Sequence, residues 1–254
     1  MSTRMYRRLA VAITLAGSLA LAAVAPSGAG AAAASTTATG LSAASVQHRL
    51  VALRYLPASA VTGRWDYRTR QALLAFQGWQ RLERTGTAGP TTLAALRTAT
   101  PPQPRHRTSG REIEVFRSLG VTLLIERGQV IRAVHSSSGK PGYVTPTGTY
   151  QVFRKALRTL SHSYHVWLPY ASYFNRGIAF HEWADVPAYP ASHGCIRIPA
   201  PEAPVVYAFA RMGTPVVVYC AARPAQSRAR LLKRLIPGDL TRQSRSHGEI
   251  TGWR

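Results

Sequence analysis

The residues with the most distinctive chemistry lie in one stretch of the chain, where His181 is followed by Ser192-His193-Gly194-Cys195. A cysteine thiol must lose its proton to attack a carbonyl carbon, and a neighbouring imidazole can take that proton. A glycine beside the cysteine lets the backbone approach a substrate closely, and the N–H groups of Gly194 and Cys195 can hold a developing oxyanion. The pattern predicts a cysteine-dependent acyl-transfer enzyme.

This stretch resembles the catalytic domain of the L,D-transpeptidases (YkuD type), whose motif is a histidine, a gap, and then Ser/Thr-His-Gly-Cys. Two flanking segments add to the resemblance: Ser138-Gly139 with residues 145–150 (TPTGTY) upstream, and residues 213–218 (GTPVVV) downstream. The resemblance covers Glu112–Tyr219. It implies a β-sandwich-like fold and attack on the bond after the third residue of a peptidoglycan stem peptide.

By this resemblance Cys195 is the nucleophile that forms a thioester with a tetrapeptide donor stem. His181 is its proton partner, and later activates the amine of the acceptor. His193 orients the site, although the sequence leaves open that His193 is the base, and Ser192 holds a histidine in position. The thioester can pass to an amine, which cross-links the wall, or to water, which is carboxypeptidase activity; we expect transfer to an amine.

Substrate contacts are predicted from side chains near the motif. Arg197 either binds a substrate carboxylate through its two-pronged guanidinium or forms a structural salt bridge. Four aromatic residues are candidates for the pocket lining: Tyr143, Tyr164, Trp167 and Trp183. The resemblance implies neither a cofactor nor a metal, and it implies acylation of Cys195 by carbapenems.

Three features of the motif region leave questions to the structure. Glu182 stands where the family commonly has glycine, which can use φ values that glutamate resists. The ending Ile196-Arg197 is that of one branch of the family, and we interpret both differences as variation in the pocket or acceptor. Cys220 ends an apolar run and is predicted to be inert, whereas a Cys195–Cys220 disulfide would abolish the proposed chemistry.

The N-terminus has the layout of a secretory signal peptide over residues 1–31, with early arginines, an apolar run and the small-residue motif Ala29-Gly30-Ala31. The alternative is an uncleaved membrane anchor, and Arg7-Arg8 leaves the twin-arginine export route open. We expect a secreted protein that works at the cell wall. Residues 32–41 are predicted to be a loose lead-in, rich in alanine and threonine.

Residues 42–97 are predicted to form a three-helix module, from apolar residues at helical spacing and glycines at the turns. The landmarks Phe76-Gln77 and residues 89–92 (GPTT) resemble the peptidoglycan-binding domain 1 family, although Thr85-Gly86 replaces its usual acidic turn. The resemblance implies binding to the glycan or the stem peptides of the wall. The aromatic residues Trp65, Tyr67 and Trp79 either contact sugars or pack the core of the module.

The remaining boundaries follow from changes in composition. A Pro-rich basic linker over residues 98–111 is predicted to be semi-rigid. Residues 112–221 form the predicted catalytic domain. One helix is predicted at Glu202–Met212, and strands are predicted at Val121–Glu126, Val130–His135, Thr149–Phe153, His165–Pro169, Ile178–His181 and Pro215–Tyr219. The tail over residues 222–254 is basic, and a short helix is predicted at Arg228–Ile236. The chain is therefore predicted to be an α+β multidomain protein: a small helical module followed by a mainly-β sandwich with one helix.

The chain of 254 residues carries 32 basic and 10 acidic residues, a net charge of +22. Only three of the basic residues lie in the first 31, so the mature protein stays strongly basic. Such charge favours an anionic partner, and anionic wall polymers fit an exported protein better than nucleic acid, for which no recognition motif is present. Outside the N-terminus no apolar run is long enough to span a membrane.

The sequence also suggests two functions other than a thiol enzyme. A metallopeptidase is suggested by the imidazoles of His162, His165, His181 and His193, but the chain has no His-Glu-x-x-His motif and few carboxylates. A non-catalytic wall-binding protein is the second alternative. The intact Ser192–Cys195 motif argues against it.

Overall fold

The computed structural model describes residues 41–106 and 108–220. The predicted signal segment, nearly all of the lead-in and the predicted helix in the basic tail lie outside the described residues. No helix within the described ranges combines the length and apolar character that a membrane-spanning segment needs.

The helices of the described chain are α1 (Ala43–Ala52), α2 (Tyr67–Gln80), α3 (Pro90–Thr98) and α4 (Ala203–Phe209), with a 3₁₀ helix at Ala58–Ala60. The strands are β1 (Arg111–Phe116), β2 (Val121–Glu126), β3 (Gln129–His135), β4 (Gly148–Gln151), β5 (Arg154–Ser161), β6 (Val166–Asn175), β7 (Ile178–Trp183), β8 (Ile196–Pro199) and β9 (Pro215–Tyr219).

The three helices of the first module begin where the sequence supplies a capping residue. The Ser42 hydroxyl accepts the Ser45 N–H at the start of α1, and the Asp66 carboxylate accepts the Thr69 N–H at the start of α2. Helix α3 begins with Pro90, whose missing N–H has no partner to lose at a first-turn position. The two side-chain caps and Pro90 fix where the helices start. The three helices themselves confirm the predicted helical module.

Two sheets form the second part of the chain. A five-stranded sheet has the order β3-β2-β1-β9-β4, and a four-stranded sheet has the order β5-β6-β7-β8. The pairs β1–β9 and β7–β8 are parallel, and the other pairs are antiparallel. Apolar side chains from both sheets and from α4 meet in one core, so the predicted sandwich with one helix is confirmed.

A second hydrophobic core joins the helices to the outer face of the five-stranded sheet. Leu50, Phe76 and Leu96 of the helices lie in the same buried cluster as Leu123 and Ile125 of β2. Removing such side chains from water stabilises the arrangement by about 1.5–3 kcal/mol each. The helical module and the sandwich therefore share a core across the predicted linker.

Aromatic and polar contacts extend this interface. Trp79 packs edge-on against Phe116 with ring centroids 5.3 Å apart, so this aromatic belongs to the core, whereas Trp65 is 57% exposed. The Arg68 guanidinium donates from two nitrogens to Glu202 Oε1, at 3.0 and 2.8 Å. Arg84 donates to the carbonyl of Leu119 at 2.8 Å, in the turn between β1 and β2.

The connecting segment is anchored to the sheet near its end. The backbone N–H groups of Arg105 and His106 donate to the buried carboxylate of Glu114 on β1. Burial raises the pKa of Glu114, and the two backbone donors oppose that rise. Because both partners are main-chain groups, this anchor fixes the path of the backbone as it enters β1.

Candidate active site

Strands β7 and β8 place the histidine and the cysteine of the motif on neighbouring backbones. The two strands run parallel, with His181 paired to Arg197 and Phe180 paired to Ile196. Phe180 and Ile196 point into the core between the sheets. Because side chains alternate along a strand, His181 and Arg197 share the opposite face of the sheet, and Cys195 comes directly before β8.

The turn that ends in Cys195 is held by two hydroxyl groups. Ser192 Oγ donates to the carbonyl of Cys195 at 2.6 Å and accepts the Gly194 N–H at 3.0 Å. Thr145 Oγ1 donates to the carbonyl of Gly194 at 2.7 Å and accepts the Gly139 N–H at 3.0 Å. Gly194 has φ +116°, which side-chain-bearing residues rarely adopt, so the turn requires glycine here.

The segment after β3 crosses from one sheet to the other and supports this turn. Ser137 pairs with Arg197, and Gly139 pairs with Ser192. A Cβ atom at Gly139 would lie 1.8 Å from the carbonyl oxygen of Tyr143, so only glycine fits there. Residues 137–139 thus extend the four-stranded sheet beside the nucleophile.

A hydrogen bond fixes the tautomer of the His181 imidazole, and burial keeps the imidazole neutral. Its Nδ1 lies 2.7 Å from the carbonyl oxygen of Glu182, and since a carbonyl only accepts, Nδ1 carries the hydrogen and Nε2 keeps its lone pair. The side chain is buried, and burial lowers the pKa of His181 to about 4. The imidazole is therefore uncharged at neutral pH and able to accept a proton.

Cys195 is a protonated thiol at neutral pH. Burial raises its pKa, while the backbone of Ala179 and the charge of Arg197 oppose that rise. Its Sγ lies 3.7 Å from the carbonyl oxygen of Gly177. Such a thiol needs a base to reach the reactive thiolate, and the neutral His181 on the neighbouring strand β7 is the base that the sequence predicts.

Arg197 stacks on an aromatic ring and pairs with no carboxylate within the described chain. Its guanidinium carbon lies 3.9 Å from the centroid of Trp183, and Trp183 in turn lies edge-on to His181 at 6.0 Å. None of the ion pairs found among the described residues includes Arg197, and its Nε is buried without a partner. The structural salt bridge considered from the sequence is therefore not formed there.

His193 lies at the surface between two tyrosines. The Tyr164 ring stacks on its imidazole at 4.4 Å, and Tyr143 meets it edge-on at 4.6 Å. Partial desolvation and the charges of Lys140 and Arg197 lower the pKa of His193. Tyr164 reaches this position from the turn between β5 and β6, so that hairpin borders the site.

Trp167 is separated from this group. It is 50% exposed on β6, and its described ring contact is with the guanidinium of Arg158 at 4.1 Å. The structure brings together the other predicted site residues: Cys195, His181, His193, Gly194, Ser192, Arg197, Tyr143 and Trp183. Trp167 shows no such contact with them in the described part of the chain.

The backbone conformation at Glu182 and Gly194 decides two points that the sequence left open. Glu182 is an extended strand residue paired with Ile198, and its φ is not positive, so the glycine of other members is not needed here. The Gly194 N–H is already bonded to Ser192 Oγ, so the expectation that it faces an oxyanion together with the Cys195 N–H is wrong for this conformation. The Ser192 hydroxyl bonds to backbone groups of the turn, so the prediction that it holds a histidine in position is wrong among the described contacts.

The sequence pointed to Gly139 and Thr145 only as landmarks of the family, and it did not predict that these residues and Ser137 support the turn of Cys195. Thr145 is fully buried although its neighbours Val144 and Pro146 are exposed. The Ser137 hydroxyl donates to the carbonyl of Tyr189 at 2.7 Å and accepts the Ala191 N–H. The signals were the run Ser136-Ser137-Ser138-Gly139 at a strand end, and the threonine that opens the TPTGTY segment.

The described residues contain one group with metal-ligating side chains close together, formed by His106, Glu112 and Glu114. None of these is a histidine that the sequence suggested for a metallopeptidase. The Glu114 carboxylate is bonded to the backbone of the connecting segment, so the group anchors that segment to β1. Cys195 and Cys220 are both free thiols, so the disulfide considered from the sequence is not formed.

The two-sheet sandwich carries a buried neutral imidazole on β7 and a protonated thiol directly before its paired strand β8. These are the groups that the class of cysteine-dependent acyltransferases uses. Family models agree with this class: that of the L,D-transpeptidase catalytic domain matches residues 110–218, and that of a peptidoglycan binding domain matches residues 39–96. No curated protein sequence matches the chain at a significant level.

One solved structure supports the same family, and two others are similar at lower identity. An L,D-transpeptidase from Xylanimonas cellulosilytica is 30% identical, with a TM-score of 0.66, over 71% of this chain and 94% of that one. One from Stackebrandtia nassauensis is 24% identical, covering 70% and 90%, at a TM-score of 0.47. One from Mycobacterium tuberculosis H37Rv is 23% identical, covering 43% and 57%, at 0.41. The chain belongs to the L,D-transpeptidase family, with a peptidoglycan-binding module before its catalytic domain.

Proposed function

We propose that this protein is an exported cysteine L,D-transpeptidase, which forms a thioester with a peptidoglycan tetrapeptide stem and transfers it to an amine. Family membership supports a cell-wall transpeptidase whose partner is peptidoglycan. The observation that supports the thioester mechanism is the parallel pairing of β7, which carries His181, with β8, which begins directly after Cys195. In addition, His181 Nδ1 donates to the carbonyl of Glu182, which leaves the lone pair on Nε2.

In the first half-reaction the lone pair on His181 Nε2 takes the thiol proton as Sγ of Cys195 attacks the donor carbonyl. The carbonyl oxygen becomes an oxyanion, for which the N–H of Cys195 is the remaining donor of the predicted pair, since the N–H of Gly194 bonds to Ser192 Oγ. The bond to the last residue of the donor then breaks. That amine leaves with the proton from His181, and the thioester remains.

In the second half-reaction an acceptor amine attacks the thioester carbonyl and gives its proton to His181. Collapse of the intermediate forms the new amide and expels the Cys195 thiolate, which takes the proton back from His181. Arg197, held against Trp183 with its fork uncommitted, is placed to bind a carboxylate of the substrate. His193, between its two tyrosines at the surface, borders the entrance rather than the buried base position.

The test is mass spectrometry of the mature protein incubated with a disaccharide-tetrapeptide muropeptide, with Cys195→Ala as the matched variant. We expect a dimer joined through a shortened donor, absent from the variant. Tripeptide without dimer would mean that water is the acceptor and that the enzyme is a carboxypeptidase. Product formed equally by folded Cys195→Ala would refute the thioester mechanism.

Carbapenem acylation tests the nucleophile without a wall substrate. When the thiol opens the β-lactam ring, the carbonyl carbon bonds to sulfur and the ring C–N bond breaks, so no atom is lost. Cys195 is therefore expected to gain the full mass of imipenem, and Cys195→Ala is expected to gain nothing. A mass gain located on Cys220 instead would contradict the assignment.

The helical module is proposed to bind the wall through an open cavity of about 580 Å³ beside α2. Trp65, Tyr67 and Arg70 line it together with Gly86–Gly89. Trp65 offers an exposed face for a sugar ring, and Arg70 offers a charge for a carboxylate or an anionic wall polymer. Co-sedimentation with purified peptidoglycan is expected to fall at least about fivefold for Trp65→Ala. Unchanged sedimentation would place the binding surface elsewhere.

A further inference from the structure

The loop between the two catalytic residues is enclosed on both sides. It runs from the end of β7, after His181, to the turn that holds Cys195. On one side lies the segment after β3, where Ser138 accepts the N–H groups of Ala191 and Ser192 through its carbonyl. The position of the nucleophile turn therefore depends on what fixes this loop.

Helix α2 of the helical module forms the other side. Gln71 is 2% exposed, and its Nε2 donates a long hydrogen bond of 3.5 Å to the carbonyl of Val186. Val186 is itself buried. Burial raises the pKa of Tyr67, one turn earlier on α2, and the backbone of Val186 opposes part of that rise. Arg70 adds an exposed contact at 3.9 Å to Asp185.

Burying the polar side chain of Gln71 costs free energy that packing alone does not offset. An amide taken from water costs free energy unless both its groups are hydrogen-bonded. Gln71 Oε1 is buried with no partner in the described chain, and the bond from Nε2 to Val186 joins two segments 115 residues apart. What Gln71 contributes at this position is the bond to the loop.

We propose that α2 is a positioning element of the active site, with Gln71 as its central residue, so that the helical module sets the rate of acyl-enzyme formation. The proposal rests on the proposed role of Cys195 as nucleophile. Gln71 acts through the loop and does not touch the reacting atoms. It holds Val186 in place, and the loop in turn holds the geometry between His181 and the turn of Cys195.

A soluble carbapenem separates positioning from wall attachment, because its reaction with Cys195 needs no contact with peptidoglycan. The full mature chain is compared with Gln71→Leu and with Gln80→Leu, which makes the same change at the last residue of α2, away from the loop. We expect the first-order acylation rate with imipenem to fall about five- to tenfold in Gln71→Leu, with the apparent binding constant unchanged. Gln80→Leu is expected to react like the wild type.

Rates are normalised to the folded fraction by thermal unfolding, so that a loss of stability alone does not count as a loss of rate. Gln71→Asn is the second variant, because it keeps the amide but withdraws it by one methylene group. It is expected to slow acylation at least about threefold even if Gln71→Leu does not fold. Sedimentation with peptidoglycan is expected to stay unchanged in both.

The outcomes distinguish the two proposals. If the wild type gains no mass from imipenem, the proposed nucleophile fails, and this inference fails with it. If the wild type is acylated and both folded Gln71 variants react at its rate, only the positioning role is overturned. A slower reaction in the Gln71 variants, with Gln80→Leu unaffected, supports a helical module that belongs to the catalytic machinery.

Discussion

Replacing Thr145 by valine removes one hydroxyl from beneath the nucleophile and almost nothing else. Valine has nearly the same shape, so no cavity is created. The hydroxyl joins two backbone groups, the N–H of Gly139 and the carbonyl of Gly194, at 3.0 and 2.7 Å. Thr145 is fully buried, so water does not easily replace the lost oxygen.

The expected magnitude follows from these two bonds. A buried group left without a partner costs about 1–3 kcal/mol, so two such groups cost about 2–6 kcal/mol together. For a folded body of this size that corresponds to a fall in melting temperature of roughly 4–24 °C. The substitution also frees the carbonyl of Gly194, the residue directly before Cys195, so the turn no longer holds the thiol in one position. Acylation is therefore expected to slow at least about tenfold.

Both quantities are measured on the same samples, by denaturant unfolding and by the rate of mass gain with imipenem. The matched control is Thr147→Val, which makes the same change two residues later at an exposed position. The control is expected to change the unfolding free energy by less than about 0.5 kcal/mol. Equal stability and equal rates for the two variants would refute the argument that Thr145 holds the turn.

Three further predictions concern the reacting groups. Because burial lowers the pKa of His181 to about 4, the base stays neutral in mild acid, and acylation is expected to decline with a midpoint near pH 4; a midpoint near the ordinary histidine value in a stopped-flow pH series would contradict the buried neutral base. His181→Ala is expected to slow acylation by about 10²–10⁴, and His193→Ala by less than about tenfold, with the reverse order in the same assay assigning the base to His193. Arg197→Lys keeps the charge but loses the planar fork and its fit to Trp183, so KM for the muropeptide is expected to rise roughly tenfold with kcat little changed, and an unchanged KM would remove Arg197 from the substrate site.

Buried apolar strands were the easiest elements to predict. The sequence pattern gave β2 and β9 with the bounds that the structure has, because both are nearly continuous apolar runs. The pattern missed β5 (Arg154–Ser161), which has no fully buried residue and lies at the edge of its sheet. It also missed β8, whose four residues are too few to show an alternation, and the buried strand β1, in which Glu112 and Glu114 interrupt the apolar residues.

The candidate catalytic motif was predictable because its residues are close in sequence. The residues that support the motif were not predictable, because they come from distant parts of the chain. Thr145 meets Gly194 across 49 residues, and Arg197 meets Trp183 only because β7 and β8 pair in parallel. Sequence spacing carries no information about such contacts until the strand order is known. For the same reason the helical pattern indicated an apolar face on α2, but not that this face packs on the sheet next to the catalytic loop.

The hydrophobic core shared by the helices and the five-stranded sheet changes what a bound wall strand experiences. A module on a flexible linker presents its ligand at an effective concentration averaged over all the positions that the linker can reach. A module seated in the core of its neighbour presents the ligand at one distance and in one direction. Under the proposed function, selection among the many stem peptides of a strand then becomes a matter of register, because a stem that is one repeat out of step with the module does not reach Cys195, however abundant it is.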